Sequence, residues 1–212
     1  MLGAAGVCLA IFLATIAFVF EGSNVVTDVA AEFDRSISLL LAQFRENDGP
    51  TGRVVEISAI GSATVIGIVA LFMGLALLKS RDWLGFVHLA TLVLSASVLS
   101  RVLQHMWDRA RPETLLSYLS VTEGSFPSAH LFGAAAFYVT FAFLYARHAG
   151  GRTTEIVAHV LAALLVVLFG LARVYLGAHH TTDVIAGMAG GWAYGLLVAA
   201  IFSLWYPDHA RR

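Results

Sequence analysis

The stretch ARVYLGAHHTTD, residues 172–183, places Arg173, His179, His180 and Asp183 between two long apolar runs. Ionisable groups at that depth are costly and usually mark function. A carboxylate on an imidazole fixes its tautomer and stabilises the imidazolium. With no serine or cysteine nearby in the chain, His179 itself can be the nucleophile, a role histidine can take. Thr181 or Thr182 is placed to cap the following helix, with Asp183 in its first turn. Two other readings stay open. One is an interfacial turn whose His and Asp meet headgroups and water. The other is a metal site, since His-His-x-x-Asp has the look of a ligand set, but no carboxylate cluster or second His pair is available to complete it.

Two further clusters have the same character. In FPSAH, 126–130, Pro127 and Ser128 signal a helix start, and the free N–H groups there make a ready phosphate site. Ser128 can cap the helix or donate to an anion, and His130 falls in the first turn. The plain alternative is an N-cap with an interfacial histidine. In QHMWDRARP, 104–112, Arg109 and Arg111 are two apart and Pro112 stops the preceding helix. Guanidinium groups suit bidentate phosphate recognition; the alternative is a headgroup-binding loop, with Trp107 as an interfacial anchor. Taken together the clusters supply two to three guanidiniums, a helix N-terminus, a nucleophilic His with an Asp, and a second His as acid. That set suits attack on phosphorus, where catalysis is mostly positioning and charge stabilisation.

What positions these groups is a membrane. Of 212 residues, 58% are hydrophobic and 13% charged, and the mean hydropathy is +0.80, which excludes an ordinary soluble domain. A net charge of −1 gives no reason to expect nucleic acid as a partner, and the single Cys8 excludes an intramolecular disulfide and thiolate-rich metal sites. Apolar runs predict a single all-α domain spanning 1–212, a bundle of six transmembrane helices at about 3–20, 57–78, 84–104, 129–146, 155–177 and 183–206. The first run has no basic residue ahead of it and is long for a signal peptide, so a retained helix is expected. Between the first two spans, apolar Val25, Val29, Phe33, Ile37, Leu40 and Leu41 recur at helical spacing. They predict an amphipathic helix that either packs over the bundle or lies in the headgroup layer beside a lipid path, ended by the turn residues of NDGPTG, 47–52.

Lys79, Arg81, Arg147, Arg152, Arg211 and Arg212 collect on one side of such a bundle, which is therefore expected to be cytoplasmic together with both termini. The three polar clusters and most acids fall on the other side. Arg35, Arg45 and Arg53 also lie there, so the charge bias is a lean.

With these motifs in place, the chain resembles the type 2 phosphatidic acid phosphatase superfamily of membrane lipid phosphatases. The family pattern runs Lys-x6-Arg-Pro, Pro-Ser-Gly-His, then Ser-Arg-x5-His-x3-Asp. Here it reads Gln104-x6-Arg111-Pro112, Pro127-Ser128-Ala129-His130 and Ala172-Arg173-x5-His179-x3-Asp183. The resemblance implies that His179 forms a phosphohistidine, Asp183 partners it and His130 protonates the leaving oxygen. It implies that Arg111, Arg173, Ser128 and Ala129 hold the phosphate, and that no metal or other cofactor takes part. Gln104 stands where the family has lysine and Ala172 where it has serine; Gln104 can still donate a hydrogen bond, and Arg109 or Arg101 can supply the missing charge. His180 occupies an unassigned motif position.

The implied substrate is a phospholipid or polyprenyl phosphate in the outer leaflet of a bacterial inner membrane. Undecaprenyl diphosphate is the leading expectation, with phosphatidate or phosphatidylglycerophosphate as alternatives. A non-catalytic lipid-binding or scaffold protein of the same fold is the rival class. A transporter would place its charges near mid-membrane instead.

Overall fold

The computed structural model describes residues 1–20, 24–45, 48–107, 109–112 and 124–206. Among them are eight helices and no strand: α1 (Leu2–Phe20), α2 (Asn24–Ala42), α3 (Asp48–Ile60), α4 (Ala63–Lys79), α5 (Trp83–Trp107), α6 (Ala129–Ala149), α7 (Arg152–Tyr175) and α8 (Thr181–Ser203). Of these, α1, α5, α6, α7 and α8 are each long and apolar enough to cross a bilayer. A sixth crossing arises if the end of α3 and α4 count as one span bent by 41°. The expected continuous helix over 57–78 is thus broken at Gly61–Ser62. Ser62 caps α4 by accepting the Val65 N–H at 3.3 Å, and a Cβ at Gly61 would lie 2.8 Å from Nε2 of His130. The bend lets bare backbone sit against that ring. The segment 113–123 and the C-terminal arginines counted for sidedness lie outside the described residues.

At the centre of the bundle α6 packs against α5, α7 and α8, and α1 lies along α8. Lipid tails are as apolar as leucine, so close backbone contact does much of the joining between such helices. Glycines at 187, 191 and 195 form one edge of α8, opposite Ser128, Phe132 and Ala136 of α6. A Cβ at Gly187 would fall 2.6 Å from the Ser128 carbonyl oxygen, one at Gly195 2.9 Å from that of Ala136, and one at Gly191 would strike the Phe132 backbone. Outward-facing Leu71, Phe72, Leu94, Val98, Leu164 and Leu171 remain exposed, as a lipid-facing surface requires.

Helix α2 forms as its periodicity predicts, but its apolar stripe is split between an outer and an inner face. Val29, Phe33 and Leu40 of the apolar stripe are exposed, while Ala30, Asp34 and Ser38, four apart, are buried. Ile37 and Leu41 of the same stripe pack against the core, so α2 covers the bundle while its outer apolar residues fit the interfacial role. Of the expected turn at 47–52, Asn47 lies outside the described residues and the rest opens α3, where Pro50 falls in a first turn that needs no N–H from it. The turn at 43–45 is clipped to the end of α7 instead: Tyr175 Oη donates to the Phe44 carbonyl at 2.9 Å, and Arg45 lies 5.9 Å over the Tyr175 ring.

At the opposite end of the bundle, Asp82 caps α5 through the Gly85 N–H at 2.9 Å and pairs with Arg147 and His148. Arg147 sits 4.2 Å over the ring of Tyr206, whose hydroxyl lies 3.0 Å from Nδ1 of buried His88. Arg147, read from sequence as a topological charge, therefore also ties α6 to the chain beyond α8.

Candidate active site

The junction between α7 and α8 is five residues long. Gly177 at φ 67 occupies the left-handed position that glycine takes most easily. Its N–H bonds the Val174 carbonyl at 3.0 Å and that of Ala178 bonds Arg173 at 3.1 Å, the paired pattern of a Schellman motif. The chain thus reverses tightly and delivers His179 into the protein, 2% exposed. His180, not Thr181 or Thr182, is the N-cap residue of α8; Asp183 reaches back to accept its N–H at 2.9 Å.

Nδ1 of His179 lies 2.9 Å from the carbonyl oxygen of Ser125 and 3.7 Å from Oδ2 of Asp183. The first is a hydrogen bond and the second is too long to be one. A proton on Nδ1 held by a carbonyl leaves the lone pair on Nε2, and Nε2 lies 3.3 Å from Nη1 of Arg111. Burial pushes the His179 pKa down to about 4; Arg173 and Arg111 pull the same way and Asp183 opposes them. The ring is therefore neutral at pH 7, with the Nε2 lone pair turned to the Arg111 guanidinium where a phosphate would bind. Ser125 is the site residue that sequence reading missed. Its contribution to His179 is a backbone carbonyl, so its residue type carries no signal. Its own N–H and hydroxyl bond the carbonyls of Arg109 (2.7 Å) and Ala110 (3.0 Å), stitching the two loops together.

Arg111 also donates to the Ala178 carbonyl at 2.7 Å, which fixes it beside His179. Arg173, in the last turn of α7, is near enough for Arg111 to feel its charge, and its Nε is buried with no partner among the described residues. Two neighbouring guanidiniums are a poor arrangement without an anion between them and a good one with a phosphate there. Ser128 caps α6, accepting the Leu131 N–H at 3.5 Å. That leaves the first N–H groups of α6, on Ala129 and His130, for an outside acceptor.

His130 lies beside the Ser58 backbone, within reach of the charges of Arg173 and His179, and its Nε2 is buried without a partner among the described residues. The ring lines a cavity of about 260 Å³ between α4, α5 and α6. One wall is a polar stripe of α5, Ser97, Ser100, Arg101 and Gln104; the other walls include Ile66, Leu92 and Phe137. Gln104 is buried at 5% exposure.

Arg109, expected beside the phosphate, is engaged within the protein. Its Nη1 donates to Asp183 Oδ1 at 2.6 Å and to Thr182 Oγ1 at 2.8 Å, and its Nη2 donates to Asp34 Oδ2 at 2.9 Å. With both ends on carboxylates it has no charge to spare for the substrate. Trp107 is likewise more than a surface anchor, packing with Phe20 and Phe126 at centroid distances of 6.1 and 5.7 Å. Among the described residues no three His, Cys, Asp or Glu side chains converge as a metal ion would need.

Comparison with known proteins bears on this geometry. A family model described as the PAP2 superfamily matches residues 85–207. A lipid A 1-phosphatase of Rhizobium etli is 35% identical over 132 residues, 58% of this chain and 52% of that protein. A phosphatidylglycerophosphatase B of Bacillus subtilis is 28% identical over 187 residues, 85% of this chain and 87% of that one. This chain thus spans about half the length of the lipid A relative and most of the second. A crystal structure of a transmembrane PAP2-type phosphatidylglycerolphosphate phosphatase from Bacillus subtilis shares the fold with TM-score 0.83 at 24% identity, covering 95% of this chain and 97% of that one.

Proposed function

Since the chain belongs to the PAP2 superfamily, we propose that it is a membrane-embedded lipid phosphatase working through a phosphohistidine on His179. The observation that carries this reading is the pairing of a neutral imidazole nitrogen, Nε2 of His179, with Arg111 at 3.3 Å and the buried Arg173 nearby. A terminal phosphate sits between the two guanidiniums and the start of α6. Nε2 attacks phosphorus in line, and the bond from phosphorus to the lipid oxygen breaks. His130, which takes up a proton once the anionic phosphate is bound beside it, gives that proton to the leaving oxygen. Water then attacks the phosphohistidine, with His130 taking the proton back, and inorganic phosphate leaves.

For the substrate we favour a lipid phosphate with a polar group next to the scissile ester, such as phosphatidylglycerophosphate, over undecaprenyl diphosphate. The support is the polar wall of α5 beside His130, which suits a hydroxylated or charged headgroup, and the name carried by the relative that matches along most of the chain. The test is phosphate release by purified protein from phosphatidylglycerophosphate, lipid A, phosphatidate and undecaprenyl diphosphate, with and without chelator. It is paired with trapping of an acid-labile phosphoprotein that is lost in His179→Ala. Release without any trapped histidine phosphate would overturn the mechanism, and release from none of the lipids would overturn the activity.

A further inference from the structure

We propose that Asp34 is a positioning residue of this active site, the group through which α2 sets Asp183 and the first turn of α8. The inference rests on the reading of His179 and Asp183 as catalytic groups. Asp34 is 1% exposed in the middle of α2, on the face opposite its lipid-facing stripe. Its Oδ1 accepts the Thr182 N–H at 2.9 Å. Its Oδ2 accepts the Thr182 hydroxyl at 2.6 Å and Arg109 Nη2 at 2.9 Å. Asp34 thus supplies an acceptor that the N-terminus of α8 lacks within its own chain segment. It does so at the residue directly before Asp183.

Arg109 makes the arrangement a shared one. The same guanidinium bridges Asp34 and Asp183, and the Thr182 hydroxyl accepts from it while donating to Asp34. One cation between two carboxylates leaves one net negative charge in the cluster, held beside the imidazole that must carry positive charge once phosphorylated. Removing Asp34 gives Arg109 wholly to Asp183, cancels that charge and frees the α8 terminus to rotate. An anchor for α2 alone needs neither the shared hydroxyl nor the bond to the Thr182 N–H. The exposed stripe of α2 is thereby linked to the site through the Asp34 side chain on the same helix.

The isosteric Asp34→Asn is the first variant, studied in full-length protein with phosphate release as readout. We expect kcat to fall at least tenfold with KM within twofold. Arg109→Gln should lose a similar amount, and the double variant should be no worse than Arg109→Gln alone. Asp34→Glu, which keeps the charge, should recover part of kcat. Thr182→Val removes only the shared hydroxyl and should move kcat in the same direction, which keeps the test open if Asp34→Asn folds poorly. A kcat unchanged in Asp34→Asn, a loss confined to KM, or losses that simply multiply in the double variant would each overturn the proposal. Hydrogen exchange of the peptide covering 176–190 gives an arm independent of activity. It should speed up in Asp34→Asn, and unchanged protection there would overturn the proposal even if no lipid in the panel is hydrolysed. Conversely, a wild type active through His179 with an unaffected Asp34→Asn would sink this proposal and leave the proposed function standing.

Discussion

The carbonyl oxygen of Ser125, not the carboxylate of Asp183, is the hydrogen-bond partner of His179: the distances from Nδ1 are 2.9 and 3.7 Å. The carbonyl sets the tautomer, which leaves Asp183 to act through its charge and through the cap it makes for α8.

That division of labour predicts a graded outcome. His179→Ala should abolish turnover in folded protein. Asp183→Asn should cost roughly 10- to 100-fold in kcat, as loss of a supporting partner does. It should not cost the ~10⁴-fold seen where a carboxylate alone fixes the tautomer of a catalytic histidine. Steady-state kinetics on one lipid substrate separate the two cases.

His130 should matter in proportion to the difficulty of the leaving group. His130→Ala is expected to lower kcat on a lipid ester by about 10²–10⁴-fold, and to affect an activated aryl phosphate far less, because that oxygen departs without a proton. An equal loss on both substrates would assign the ring a packing role against Gly61.

Gln104 is buried on the cavity wall, and Arg109 is committed to two carboxylates, so Arg101 is the remaining cation of that wall. A lysine at 104 would add a charge near the phosphate. One such pair at ~4 Å is worth on the order of 4 kcal/mol before desolvation and screening, and about 1 kcal/mol net. Gln104→Lys should therefore lower KM several-fold, more for a diphosphate lipid than for a monophosphate. A KM unchanged on both would mean that Arg101 already fills the role.

Acid should weaken the fold through His179. Its folded pKa of about 4 lies below the ordinary 6.5, so the unfolded chain takes up the proton first. Its contribution is complete above pH 6.5 and is lost as pH falls through that value toward 4, by up to about 3 kcal/mol. Thermal midpoints in detergent should drop less for His179→Ala than for wild type between pH 7 and 4.5. Parallel curves would show that the ring is not held neutral.

Sidedness is open to direct measurement. We propose that the site faces away from the cytoplasm. In a Cys8→Ser background, Arg53→Cys, exposed on α3 near the site end, should react in intact cells with an impermeant thiol reagent. Arg152→Cys, exposed at the other end, should not. The reverse pattern would place the chemistry on the cytoplasmic side.

Much of this was legible in the residues because apolar runs and motif spacing are local signals. They placed the spans and brought His130, His179, Arg111, Arg173 and Ser128 to one end of the bundle. What they did not show depends on three dimensions. The break at Gly61–Ser62 lies next to an uninterrupted apolar run, and only the approach of His130 reveals why a helix stops there. Asp34 sits on what reads as the water-facing side of an amphipathic helix, but in a bilayer that side turns inward. Arg109 has the residue type of a phosphate ligand, and its two carboxylate partners are more than 70 residues away in sequence. Ser125 acts on His179 through its backbone, which no side-chain pattern can encode.

The glycine edge of α8 has a consequence for what the protein can adapt. His130 begins α6 and His179 lies just ahead of α8, and those two helices meet at Gly187, Gly191 and Gly195, where α8 has no side chain to repack against Leu131, Ala135 and Val139 of α6. The spacing between the proposed nucleophile and acid is thus a fixed gauge. Under the proposed function, differences in headgroup size fall to the far wall, where the bend between α3 and α4 at Gly61–Ser62 and the polar stripe of α5 border the cavity. Selection for a new substrate should therefore rewrite α4 and α5 and leave the α6–α8 seam untouched.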